Sequence, residues 1–255
     1  MNFSTISFGV FSIEFIGIAY ALSFFVLAWL WYKEIGRQNF SVDYFVHHFW
    51  KWFFGGIILG RIFSVLTHPD VFSEYGIAGL FAFWEGGISS IGALIGFLGF
   101  MYLDFKSTDF QILRWLDTLA IPLVISVFIM DIGFFLTGAI YGIPTSLFWG
   151  ISYETFGVEL ITPVHPVTLY ALIFHIGLYM WIRKNKNRLK ERFGVLFCQS
   201  LWWLFVIQFL IGFLRADPDL YLLGLIRLQQ ILTLIVIVLL TLYIKKIKVT
   251  HSKSY

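Results

Sequence analysis

Residues Leu116–Leu136 read LDTLAIPLVISVFIMDIGFFL, and this stretch decides the fold class. It is long enough for a helix of about 20 mostly apolar residues, the length that crosses a bilayer core. One ionisable group, Asp131, lies deep within it, in Phe128-Ile129-Met130-Asp131-Ile132-Gly133. Six further stretches have the same character: Phe11–Tyr32, Trp50–Leu66, Gly87–Leu103, Pro166–Ile182, Phe193–Leu214 and Tyr221–Ile244. Together they predict an all-α polytopic membrane bundle of about seven transmembrane helices, forming a single domain over residues 1–255.

Composition supports a lipid environment. Of 255 residues, 59% are hydrophobic and 13% charged, and Phe alone contributes 30; soluble domains carry about 25% charged residues. The second and third stretches are rich in glycine (Gly55, Gly56 and Gly60, then Gly92, Gly96 and Gly99), which lets helices approach closely in lipid. The N-terminal stretch has neither a basic n-region nor a small-residue cleavage site, which predicts a retained span rather than a signal peptide.

The basic residues predict orientation. Lys33, Arg37 and Lys51 flank the first connection, Lys106 and Arg114 the third, Arg183, Lys184, Lys186, Arg188, Lys190 and Arg192 the fifth. Lys245, Lys246, Lys248 and Lys253 end the chain. These 15 of 18 basic residues fall on alternate connections, so the positive-inside rule places the N-terminus outside and the C-terminus in the cytoplasm. A net charge of +3 distributed this way serves membrane topology and points to no nucleic-acid partner. Cys198 is the one cysteine, excluding an internal disulfide and reading as a small buried hydrophobe. His47, His48, His68 and His175 lack metal-ligand spacing, so neither metal nor cofactor is expected.

Arg61, Arg215 and Arg227 break the pattern, belonging to the outer half of the membrane or its outer face. Ionisable groups at such depth are expensive and usually functional. Two readings stand: structural ion pairs with Asp131, Asp217 or Asp219, or an anion site for a lipid phosphate. Asp131 likewise reads either as the partner of one of these arginines or as a general base. Two long outer loops, Thr67–Glu85 and Gly142–His165, are nearly free of basic residues. After Glu85, the run Gly86-Gly87-Ile88-Ser89-Ser90 can bring backbone N–H groups near a head group. His165-Pro166 opens the fifth span with Tyr170 one turn further in, and Arg227 enters the last span with Gln229 and Gln230.

In order along the chain, these pieces resemble the prolipoprotein diacylglyceryl transferase family of bacterial inner-membrane enzymes. Ile16-Gly17-Ile18-Ala19-Tyr20-Ala21-Leu22 resembles its first span, and Leu59-Gly60-Arg61-Ile62 its G-x-R element. Trp84-Glu85-Gly86-Gly87-Ile88-Ser89 with Gly92-Ala93-Leu94-Ile95-Gly96 is similar to its W-[DE]-G-G-M-S-x-H-G-G-L-I-G motif. Ile132-Gly133, Gly138 and Tyr141-Gly142 resemble parts of the signature G-R-x-G-N-F-x-N-G-E-x-[WY]-G. His165-Pro166 with Leu169-Tyr170 matches H-P-x-x-L-Y, Phe213-Leu214-Arg215 with Pro218-Asp219 resembles F-x-R-x-P-D with one extra residue, and Gln230 fits the last-span glutamine.

The resemblance implies transfer of a diacylglyceryl group from phosphatidylglycerol to the lipobox cysteine thiol of a prolipoprotein signal peptide, forming a thioether and releasing glycerol phosphate. That chemistry needs a base for the thiol and cations for the leaving phosphate. The expected catalytic residues are Arg215, His165 and Tyr20 at positions that match the family, and Asp131 as the base of a rebuilt site. The implied phospholipid contacts are Arg61, Arg215, Arg227 and Gln230, the segment Glu85, Gly86, Gly87, Ser89 and Ser90, and Gly138, Gly142 and Tyr170. Several family positions differ. The motif histidine is Ile91, the signature arginine is Asp131, its asparagines are Phe134 and Thr137, its glutamate is Ala139, and the glutamate after the H-P-x-x-L-Y tyrosine is Ala171. Two functions therefore follow from the resemblance: an active transferase with a rebuilt site, or a non-catalytic member that binds phospholipid or lipoprotein signal sequences. An unrelated carrier, the third reading, would often show an internal repeat, and the chain shows no convincing one.

Overall fold

A computed structural model describes residues 5–8, 11–67, 76, 78, 81, 88–106, 112–153, 162–189, 192–217, 221–222 and 226–252. Among them are seven α-helices: α1 (Phe15–Arg37), α2 (Val42–Thr67), α3 (Ser90–Phe105), α4 (Ile112–Thr137), α5 (Val167–Leu189), α6 (Val195–Gly212) and α7 (Leu228–Ser252). Each predicted span coincides with one helix. Five are long and apolar enough to cross a membrane: α1, α4 and α6, residues Val42–Leu66 of α2, and Leu228–Lys246 of α7. The other two fall short for physical reasons. The 16 residues of α3 extend about 24 Å at 1.5 Å per residue, less than the bilayer core. The 23 residues of α5 end in a strongly basic stretch around Arg183, Lys184 and Lys186.

Two span boundaries also move. The first span was expected from Phe11, but Phe11–Glu14 is strand β2, paired antiparallel with β1 (Thr5–Phe8). Ile6, Phe8, Phe11 and Ile13 alternate with Ser7 and Ser12 at the two-residue period of a strand. The last span was expected from Tyr221, but Tyr221–Leu222 (β3) pairs with Ile226–Arg227 (β4), and α7 begins at Leu228.

Helices α2 and α3 meet through glycine. A Cβ on Gly92 would fall 2.6 Å from the Leu59 carbonyl oxygen, and one on Gly56 3.1 Å from that of Ala93, so side chains there would force the helices apart. Ser89 caps α3, its hydroxyl accepting from the Gly92 N–H at 3.4 Å, and its own N–H donates to the Gly60 carbonyl at 3.0 Å. Helix α1 packs on α4, α4 on α5 and α6, and α7 on α6.

The basic helix ends gather at one end of the bundle. There Glu34 of α1 bonds Lys186 of α5, Lys51 of α2 pairs with Asp104 of α3 at 2.6 Å, and Asp117 of α4 accepts the N–H groups of Gly194 and Phe197 at the start of α6. An aromatic core of Trp31, Phe45, Trp52, Phe105 and Trp115 packs between them. Large apolar side chains such as Phe25, Leu66 and Leu239 lie on the outside, as lipid contact requires.

Candidate active site

The far end of the bundle is built from irregular backbone that three segments share. Helix α4 ends at Gly138, whose φ of 69° is the left-handed stop that a glycine takes without strain; its N–H donates to the Phe134 carbonyl at 2.9 Å. The chain then runs beside the lead-in to α5 and the exit of α6. The Gly142 N–H donates to the His165 carbonyl at 3.1 Å, His165 N–H to Ile143 at 3.0 Å, Ile143 N–H to Leu214 at 2.8 Å and Ala216 N–H to Tyr141 at 2.9 Å. Gly142 and Arg215 form a β-bridge. A Cβ on Gly142 would lie 2.6 Å from the His165 carbonyl oxygen, so glycine is what lets the strands close. Tyr141, Tyr153 and Val164 form a small separate core beneath this clasp, and burial pushes the Tyr153 phenol above its ordinary pKa.

The clasp brings together His165, Tyr170, Gly142 and Arg215, four residues singled out from the sequence. His165 Nδ1 lies 3.1 Å from the Tyr170 hydroxyl, which accepts the indole N–H of Trp149 at 2.7 Å. Arg215 donates from Nε and Nη2 to the two oxygens of Asp217, at 2.8 and 2.5 Å. Such a two-point contact fixes the plane of the guanidinium. Arg227 is buried beneath the same turn. Its Nη2 donates to the carbonyls of Arg215 and Asp217 at 2.8 and 2.9 Å, and its Nη1 lies 3.6 Å from Asp217. Arg227 thus supports the Arg215 turn from below. Gln230 packs on Gly212 and donates to the Phe209 carbonyl at 3.4 Å. With Gln208 and Thr233, these residues line a crevice of about 10 Å³. That is room for one water, so a head group reaches the crevice only if it widens.

Asp131 does not pair with an arginine, contrary to the ion-pair expectation. Its carboxylate is 2.5 Å from Nδ1 of His175 on α5, and both side chains are buried. Helices α4 and α5 lie against one another, whereas the Arg215–Arg227 turn is held by Asp217. Tyr20 is half exposed on α1 and meets Phe134 edge-on at 6.2 Å, one turn along α4 from Asp131. Arg61 is buried on α2 next to Gly60, the anchor of Ser89. Ser90 is exposed, and Ile91 packs in the apolar core. Glu85, Gly86 and Gly87, with Pro218 and Asp219, lie outside the described residues.

A larger cavity, of about 360 Å³, opens at the basic end between Glu34, Arg114, Asp117, Lys186 and Phe193. Its charges are already engaged in the Glu34–Lys186 pair, in Asp117 at the head of α6, and in Arg114 over the Phe193 ring at 3.7 Å. It holds none of the residues that match the family motifs.

Residues 4–245 match the sequence model of the prolipoprotein diacylglyceryl transferase family. The chain belongs to this family. A phosphatidylglycerol–prolipoprotein diacylglyceryl transferase of Ehrlichia ruminantium is 25% identical over 252 residues, covering 96% of each chain. Enzymes of the same name from Wolbachia pipientis and Chloroherpeton thalassium are 27% and 28% identical, covering 84% and 82% of this chain and 81% and 78% of theirs. Membership of the family identifies the chain as a multi-pass membrane transferase. Sequence reading missed Trp149 and His175, and took Asp217 only as a possible ion-pair partner. A lone tryptophan in a loop or histidine in an apolar run carries no local signal of its distant partner.

Proposed function

We propose that this chain transfers the diacylglyceryl group of phosphatidylglycerol to the lipobox cysteine of a prolipoprotein, in the bacterial inner membrane. The observation that carries the assignment of the site is the clasp, which holds His165, Tyr170, Gly142 and Arg215 together at the end opposite the basic helix ends. In this reading the chain is a single transmembrane domain crossing seven times, with the N-terminus outside. Helices α3 and α5 make up the number, α3 through local thinning or shielding by α2 and α5 with its basic end in the cytoplasm. The clasp then faces the leaflet from which lipid and signal peptide arrive.

The cysteine sulfur attacks the glyceryl carbon bonded to the phosphate ester oxygen. A C–S bond forms, the C–O bond breaks, the thiol proton passes to a base, and glycerol phosphate leaves with the bonding pair. Arg215, its plane set by Asp217 and its turn supported by Arg227, stabilises the charge growing on the phosphate. Arg61, Ser89 and Ser90, with the motif residues Glu85, Gly86 and Gly87, are assigned to the head group, as are Gly138, Gly142 and Gln230. Tyr20 and His165–Tyr170 orient substrate, and Asp131 belongs to the group that takes the proton.

One observation favours a second reading, a member that binds phospholipid or signal peptide without turnover: Ile91, at the position of the family's motif histidine, is buried in the core. Complementation separates the two. In a bacterium depleted of its own transferase, this chain restores lipidation of a reporter prolipoprotein. Verified membrane insertion without lipidation, using the host's lipid and a lipobox from a matched relative, establishes the binding reading instead.

A further inference from the structure

His175 is the most deeply buried histidine among the described residues, at 1% exposure. Its Nδ1 lies 2.5 Å from the Asp131 carboxylate, and its Nε2 is buried with no hydrogen-bond partner. A buried imidazole nitrogen left unmatched is costly, and such groups in native folds call for an explanation. In the tautomer that donates Nδ1–H to the carboxylate, the ring presents its lone pair at Nε2, and the carboxylate balances the charge that forms when Nε2 takes a proton.

Its place in the fold connects it to the clasp. Thr168, Ala171 and His175 follow the three- and four-residue spacing of one helix face, and all three are buried. Thr168 directly follows the His165-Pro166-Val167 lead-in, so the row runs from the clasp into the bundle. Seven residues of helix separate Thr168 from His175 by about 10 Å, less than half the thickness of the bilayer core. Thr168 and Ala171 are small but packed against neighbouring elements, so substrate reaches the imidazole only when this face opens.

We propose that His175 Nε2 accepts the proton of the substrate thiol, with Asp131 as the residue that positions and charge-balances it. This deepens the transferase reading and rests on it. It also accounts for how the chain does without a histidine at position 91. The thiol proton moves to Nε2, the thiolate displaces glycerol phosphate from the glyceryl carbon, and the imidazolium returns its proton to water or to the departing phosphate.

The test uses the purified full chain in phosphatidylglycerol proteoliposomes with two lipobox peptides, one with cysteine and one with selenocysteine. A selenol is already largely ionised at neutral pH, so it needs no base. His175→Gln is expected to slow the cysteine peptide by about 100-fold or more while slowing the selenocysteine peptide less than about tenfold. Asp131→Asn, which keeps an acceptor for Nδ1–H and removes the charge, is expected to show the same selective loss in milder form. Equal losses on both peptides would mean that the pair only holds α4 against α5, and the inference falls. No loss on either peptide overturns it as well. If the unmodified chain turns over neither peptide, the transferase reading fails first and takes the inference with it.

Discussion

The two ends of this bundle use charge in opposite ways. At the basic end, ion pairs join regular helices, Lys51 to Asp104 and Lys186 to Glu34, and Arg37 pairs with Glu34 within α1. Lys51 and Arg37 are more than half exposed there, 56% and 73% at the side chain. At the far end, Arg215, Arg227 and Asp217 are nearly enclosed, at 11%, 3% and 9%, and they hold irregular backbone in shape. Exposed pairs contribute little because water already solvates both partners. Enclosed ones have lost that solvation and depend on each other. The basic end thus spreads its charges over exposed helix ends, and the far end uses charges that are costly to keep.

Three substitutions would break or sharpen that contrast. The largest effect is expected for Arg215→Ala. Removing the cation proposed to stabilise the leaving phosphate should lower peptide lipidation by about 10²–10³-fold, measured by mass shift of a lipobox peptide; activity within tenfold of the unmodified chain would remove Arg215 from the chemistry. Next comes Asp217→Ala, which leaves two enclosed guanidinium groups without their shared carboxylate. Breaking a buried pair costs about 3–5 kcal/mol, and thermal unfolding in detergent should show the loss. The smallest effect is expected for Lys51→Ala. Its pair is exposed on the lysine side, so stability should fall by less than about 1 kcal/mol and lipidation by a reporter assay should not change. If Lys51→Ala and Asp217→Ala destabilise equally, the distinction between the two ends is wrong.

The helices were legible in the sequence because lipid imposes a simple rule: a span needs a long apolar run, and charges left over must lie at its ends. The glycine seam of α2 and α3 was legible for a related reason, since Gly92 and Gly56 permit an approach that a Cβ would block. The family resemblance also ran along the chain in order, and residues 4–245 match the family. The strand at Phe11–Glu14 was missed because its Phe11 and Ile13 next to a span read as the first turn of that span.

The site was only partly legible. His165, Tyr170, Gly142 and Arg215 could be named from local motifs, but not that one set of backbone hydrogen bonds binds their three segments. The sequence by itself determined which segments are helical, which end carries the basic charge, and that Asp131 must be compensated within the bundle. Tertiary structure decided the compensation. Asp131 lies 44 residues from His175 in sequence, and the two meet only because α4 packs on α5. Hydrophobic periodicity records which faces are buried, but pairing depends on which helices become neighbours, and only packing of the whole chain sets that.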